Sequence, residues 1–207
     1  MKNRVRRFRS LAVALKEMEP FIRDGEHIQT GKPFKKLGGM RSREALGNWL
    51  ICVVANFEFG AGRFSFTTDP TGGDGVVYDA QSSNMRLMEH VMVPRIRPDN
   101  RANARNVEAA VLAAIDDKRQ KGGKAYASGK ELVVFINSGG GEWYPNRVAE
   151  QLAKPLLFNS VWIVALQSTE PKYVYGVTKL DAQDGPAPIW LVRISDDFSN
   201  WTVERLQ

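Results

Sequence analysis

Most positions between residues 42 and 57 are apolar, and that run limits what the chain can become more than any other feature. Leu46, Trp49, Leu50, Ile51, Val53, Val54, Ala55 and Phe57 cover all sides of a helix, with Ser42 as N-cap and Gly60 with Gly62 as the stop. A helix apolar nearly all round is a buried helix, so other layers must enclose it. Two of its polar residues, Glu44 and Asn48, are four residues apart and therefore share one face.

The remaining segments predict those layers. Val5, Phe8, Leu11, Leu15 and Met18 space a helix over residues 5–19, stopped by Pro20, and residues 27–40 read as a loop. Strands are predicted at 64–68, 75–80 and 85–93, a three-strand meander separated by turn-forming stretches. A helix follows at 104–120, ended by Gly122-Gly123, then a strand at 131–137, a glycine-rich turn, a helix near 145–153, a strand at 160–166 and a hairpin of 173–180 with 188–194. The order predicts an α/β fold: a single mixed β-sheet of about five to seven strands flanked by helices. The 207 residues divide into a basic N-terminal helix and loop, 1–40, and one α/β domain, 41–207.

Composition narrows the chemistry by exclusion. One cysteine, Cys52, forbids an internal disulfide or a thiolate zinc site, and two histidines, His27 and His90, forbid a histidine-built one. Carboxylates remain, and they bind hard ions such as Mg²⁺ or Mn²⁺. The lone cysteine fits a reducing, cytoplasmic setting. No run approaches the roughly 18 apolar residues that span a bilayer, so no membrane partner is expected. The net charge of +6 is local: residues 1–50 hold 12 Lys and Arg against 5 Asp and Glu, and residues 86–130 hold 10 against 5. Two basic zones on one fold suit a polyanion.

Two acids stand where acids are costly. Asp74 opens the second predicted strand, and Glu89 interrupts the third on the face that carries Leu87, Val91 and Val93. A carboxylate among apolar neighbours must be paired, protonated or metal-bound. Adjacent strands lie about 4.8 Å apart, so two such carboxylates can grip one divalent ion. The competing reading is structural, with Asp74 capping a glycine turn and Glu89 paired with Arg86 or His90.

At these residues the chain resembles the PD-(D/E)XK nuclease superfamily, the restriction-endonuclease-like fold, over about residues 41–166. The resemblance implies a core of helix, three-strand meander, crossover helix and further strand. It implies an acid opening the second strand, matched by Asp74 with Pro70 four residues upstream, and an acid, any residue and a lysine on the third. Glu89 matches that acid; Val91 stands at the lysine position. Glu44 occupies the place of a further acid on the first core helix. The 104–120 helix offers a substitute: Lys118 and Lys121 fall within about 40° of the stripe of Val107, Val111 and Ile115 and point at the sheet. Some members of the superfamily carry their lysine on this helix, and Lys118, Lys121 and Tyr126 are similar to that arrangement.

The resemblance therefore implies a divergent metal-dependent nuclease. Asp74 and Glu89 would hold Mg²⁺ or Mn²⁺, Glu44 would support the site and Lys118 would assist. Arg4, Arg6, Arg7, Arg9 and Lys121 would contact nucleic acid, DNA before RNA. A homodimer is left open. One alternative keeps the fold without the chemistry, as a nucleic-acid-binding or scaffold protein. Another places a phosphate-bearing small molecule on the Gly139–Gly141 loop.

Overall fold

The structure, a computed structural model, describes residue 8 and residues 10–25, 31–93, 104–136, 142–181 and 186–207. Its helices are α1 (Leu11–Arg23), α2 (Ser42–Phe59), α3 (Ala104–Ala127) and α4 (Pro145–Glu150), with a short 3-10 turn at Lys35–Leu37. Its strands are β1 (Phe64–Thr67), β2 (Val76–Asp79), β3 (Asn84–Val93), β4 (Lys130–Ile136), β5 (Ser160–Ser168), β6 (Val174–Lys179), β7 (Ile189–Ile194) and β8 (Trp201–Arg205). They form one mixed sheet in the order β1 to β8. β3, β4 and β5 are parallel, joined by crossovers that contain α3 and α4, and every other pairing is antiparallel.

The sheet has eight strands, more than the five to seven expected. β8 is the addition: Trp201 and Val203 pack toward the core while Thr202 and Glu204 face out. The turn before it holds Phe198, fully buried at φ 55, so an apolar residue sits where turn chemistry is polar. α1 also differs, since it runs through Pro20 to Arg23. Tertiary contacts hold the last turn in place. Ile22 is buried, Phe21 meets Phe34 edge-on, and the Arg23 guanidinium lies over the Phe198 ring.

α2 has no solvent face for most of its length, and the sheet coils around it. At one edge the Asn56 side chain pairs with both the N–H and the carbonyl of Phe64 in β1. At the other, Trp201 of β8 packs edge-on against Trp49, whose Nε1–H donates to the Leu11 carbonyl at 2.9 Å. α1 closes the remaining side, with Ala14, Leu15, Met18 and Ile22 in the same core. The described part of the 1–40 segment is thus packed with the rest of the chain. A second core fills the opposite face of the sheet under α3 and α4, and β4 and β5, covered on both faces, are apolar between their ends.

Among the described residues, no helix is long and apolar enough to cross a membrane. Trp49→Ala should lower stability by about 3–5 kcal/mol, read from the urea midpoint, because it opens a cavity and removes the indole hydrogen bond that ties α2 to α1 at Leu11. Phe57→Ala, on the half-exposed flank of the same helix, should cost no more than about 1 kcal/mol.

Candidate active site

β3 is ten residues long and its partner β2 is four. Strand pairing ends at Val76 with Leu87, followed by one further bond from the Met88 N–H to the Gly75 carbonyl. The next donor on this flank, the His90 N–H, is taken by the Asp74 side chain, whose Oδ2 accepts at 2.7 Å. Asp74 thereby continues the ladder with a carboxylate and stands beside Glu89. Its backbone is held from below, where Asn48 Nδ2 donates to the Asp74 carbonyl at 3.1 Å. Gly75 is required at this approach: at φ 137, a Cβ there would lie 2.3 Å from Asn48 Nδ2.

Glu89 points to the opposite face, toward α3. The buried stripe of Val107, Val111 and Ile115 fixes the rotation of that helix and brings Lys118 Nζ to 2.6 Å from Glu89 Oε1. Lys130, at the start of β4, reaches Glu89 Oε2 at 3.3 Å. The register explains this contact. Glu89 is opposite Leu132, so Lys130 is its diagonal neighbour on the same face. Helical geometry breaks at Gly122-Gly123 as expected, with Gly123 at φ 56, and after this kink a further helical stretch carries α3 on to Ala127. The kink delivers Tyr126, whose hydroxyl accepts from Lys118 at 3.5 Å beside Glu89, with its ring under Lys130 Nζ at 4.1 Å. Gly122 leaves the room, since a Cβ there would meet that of Tyr126 at 2.5 Å.

Glu44 occupies the first turn of α2, where its Oε2 accepts the Arg41 N–H at 2.9 Å, the capping role that a third-position glutamate performs. His90 faces α2. Its Nε2–H donates to Asn48 Oδ1 at 2.9 Å, and burial pushes its pKa down to about 3, so it is neutral and structural.

Five of the residues singled out from sequence, Glu44, Asp74, Glu89, Lys118 and Lys121, line one cleft of about 480 Å³, together with Arg41 and the turns at 38–40 and 68–73. Arg4, Arg6, Arg7 and Arg9, and the loop residues 138–141, lie outside the described residues. A wider groove of about 560 Å³ runs between α2 and the edge strands, but no residue lining it is titratable. Lys130 and Arg41 are site residues that the sequence reading did not name. Lys130 fell in the predicted turn, one position before the strand, although it alternates with Leu132.

The acids differ electrostatically. Burial and the charge of Glu89 raise the Asp74 pKa against the His90 N–H, and burial with the charge of Asp74 raises that of Glu44. Burial acts on Glu89 in the same direction, but Lys118, Tyr126 and Lys130 outweigh it and hold it below the usual value. Glu89 is therefore the firmly ionised member. Among the described residues, no group of three or more His, Cys, Asp or Glu is gathered to hold a metal. Two carboxylates with water suffice for Mg²⁺, however, and the donors present are the hard oxygens that such an ion takes.

No protein-family model and no curated protein matches the chain, so the chemistry of the cleft is read from its own residues.

Asp74 binds its proton more tightly folded than unfolded. Its ionisation therefore penalises the folded state at neutral pH, and the penalty vanishes below the ordinary aspartate value of about 4. Asp74→Asn keeps an oxygen for the His90 N–H. It should raise the melting temperature at about pH 7 and leave it unchanged at about pH 3, measured by thermal unfolding.

Proposed function

We propose that this chain is a divergent member of the restriction-endonuclease-like fold that hydrolyses phosphodiester bonds of nucleic acid with a divalent cation, Mg²⁺ or Mn²⁺. The observation that carries the reading is the meeting of Lys118 with Glu89 at 2.6 Å in the cleft that also holds Asp74. A helix lysine supplies the charge that Val91 lacks. The order α2, β1–β3, α3, β4 agrees with the core that the resemblance implies.

Asp74 and Glu89 would hold the cation, whose chemistry is to polarise the phosphate and lower the pKa of an attacking water. Glu44 adds negative potential from α2 while anchoring its first turn. Lys118 stabilises charge developing on the phosphate, from a position that its pairing with Glu89 already fixes. Arg41 and Lys121 on the rim contact backbone phosphates, which makes binding weaken with salt and favours duplex or single strands alike. DNA is the first substrate to test. Free, buried Cys52 accords with a reducing cytoplasm.

One observation favours a second reading. Both oxygens of Glu89 are engaged by ammonium groups, an ion network that is complete without metal, as a scaffold or binding protein of the same fold would retain.

Incubation of the purified protein with plasmid and oligonucleotide DNA and RNA, with Mg²⁺ or Mn²⁺ and then with EDTA, separates the two readings. The nuclease reading expects cleavage that EDTA stops, that Asp74→Ala and Glu89→Ala abolish, and that Lys118→Met reduces by about 10²–10³. Binding without cleavage by every form supports the scaffold. Cleavage that survives in both alanine variants contradicts the site.

A further inference from the structure

Glu89 is held by two cations of unequal grip. Lys118 approaches Oε1 at 2.6 Å, while Lys130 approaches Oε2 at 3.3 Å and comes from a different element, the first residue of β4. Both lysine side chains are largely buried, so neither contact is a loose surface pair. Oε2 is the oxygen held at the longer distance and the easier one to give up. Lys130 also has a second station, because its Nζ lies 4.1 Å above the Tyr126 ring, where an ammonium keeps a favourable interaction without the carboxylate.

We propose that Lys130 is a resident counter-cation at Glu89 that a divalent ion must displace, and that it sets the metal affinity of the cleft. The inference rests on the metal-dependent reading above. A divalent ion bound to a carboxylate oxygen sits at about 2.0–2.1 Å, closer than an ammonium, and repels any cation that shares the oxygen. Removing the Lys130 charge frees Oε2 and removes that repulsion. Removing Lys118 would do the same at Oε1, but Lys118 is placed in the reaction itself. Lys130 is a positioning residue, acting through Glu89.

The test is calorimetric titration of the full chain with Mn²⁺, without substrate. Lys130→Met should bind about tenfold more tightly than the wild type, within the range by which groups around a metal ligand change affinity. Lys130→Arg, which keeps the charge, should stay close to the wild type, and Lys130→Met combined with Glu89→Gln should lose the gain. Lys130→Gln serves in place of Lys130→Met if thermal unfolding shows the latter to be misfolded. Wild-type binding with no tightening in either neutral variant overturns the role of Lys130 and leaves the metal reading intact. No binding at millimolar Mn²⁺ by any form overturns the metal reading, and the inference with it. Binding by the neutral variants alone supports both.

Discussion

A helix with no polar face cannot lie on a surface, and the enclosure of α2 organises everything else in this protein. The sheet has to coil until both edge strands reach the helix, β1 through Asn56 and β8 through Trp201, while α1 covers what the sheet leaves open. The first two turns of α2 carry its buried polar side chains, Ser42, Glu44 and Asn48, and the cleft forms above Glu44. Asn48 joins the backbone of Asp74 to the ring of His90, so the position of Asp74 is inherited from the packing of the helix.

The second constraint is the mismatch between β2 and β3. A strand that outruns its partner exposes donors, and here one is satisfied by a carboxylate in place of a carbonyl. The structure thus places acidic groups in a half-buried site where only Glu89 is fully compensated. Asp74 and Glu44 are held above their ordinary pKa values, an arrangement that costs folding stability and that a bound cation would relieve. Sites that break the rules of favourable burial in this way are where function is expected.

What the sequence revealed followed from local periodicity. The apolar wrap of α2, the meander and the stripe that aims Lys118 at the sheet all repeat within a few residues, and each is present in the structure. The features missed were those decided by distant partners. Pro20 ordinarily ends a helix, yet α1 continues because Ile22 and Arg23 are held by the core and by Phe198. Gly122-Gly123 marks a break in the helix, but whether the chain leaves it or bends is set by the packing of Tyr126. Lys130 could be placed at Glu89 only with the parallel register of β3 and β4 known, and that register is set across 41 residues of chain. β8 offers just two inward apolar residues, a weak signal that becomes a strand because β7 supplies an edge.

The central claim is that Asp74 and Glu89 share a divalent ion in this cleft. Anomalous diffraction from crystals soaked in Mn²⁺ tests it without relying on a substrate. The expected result is one peak in contact with both carboxylates, with the Lys130 ammonium withdrawn from Glu89 toward the Tyr126 ring. A cleft without a peak, in crystals whose Glu89 stays bound to both lysines at millimolar Mn²⁺, would contradict it.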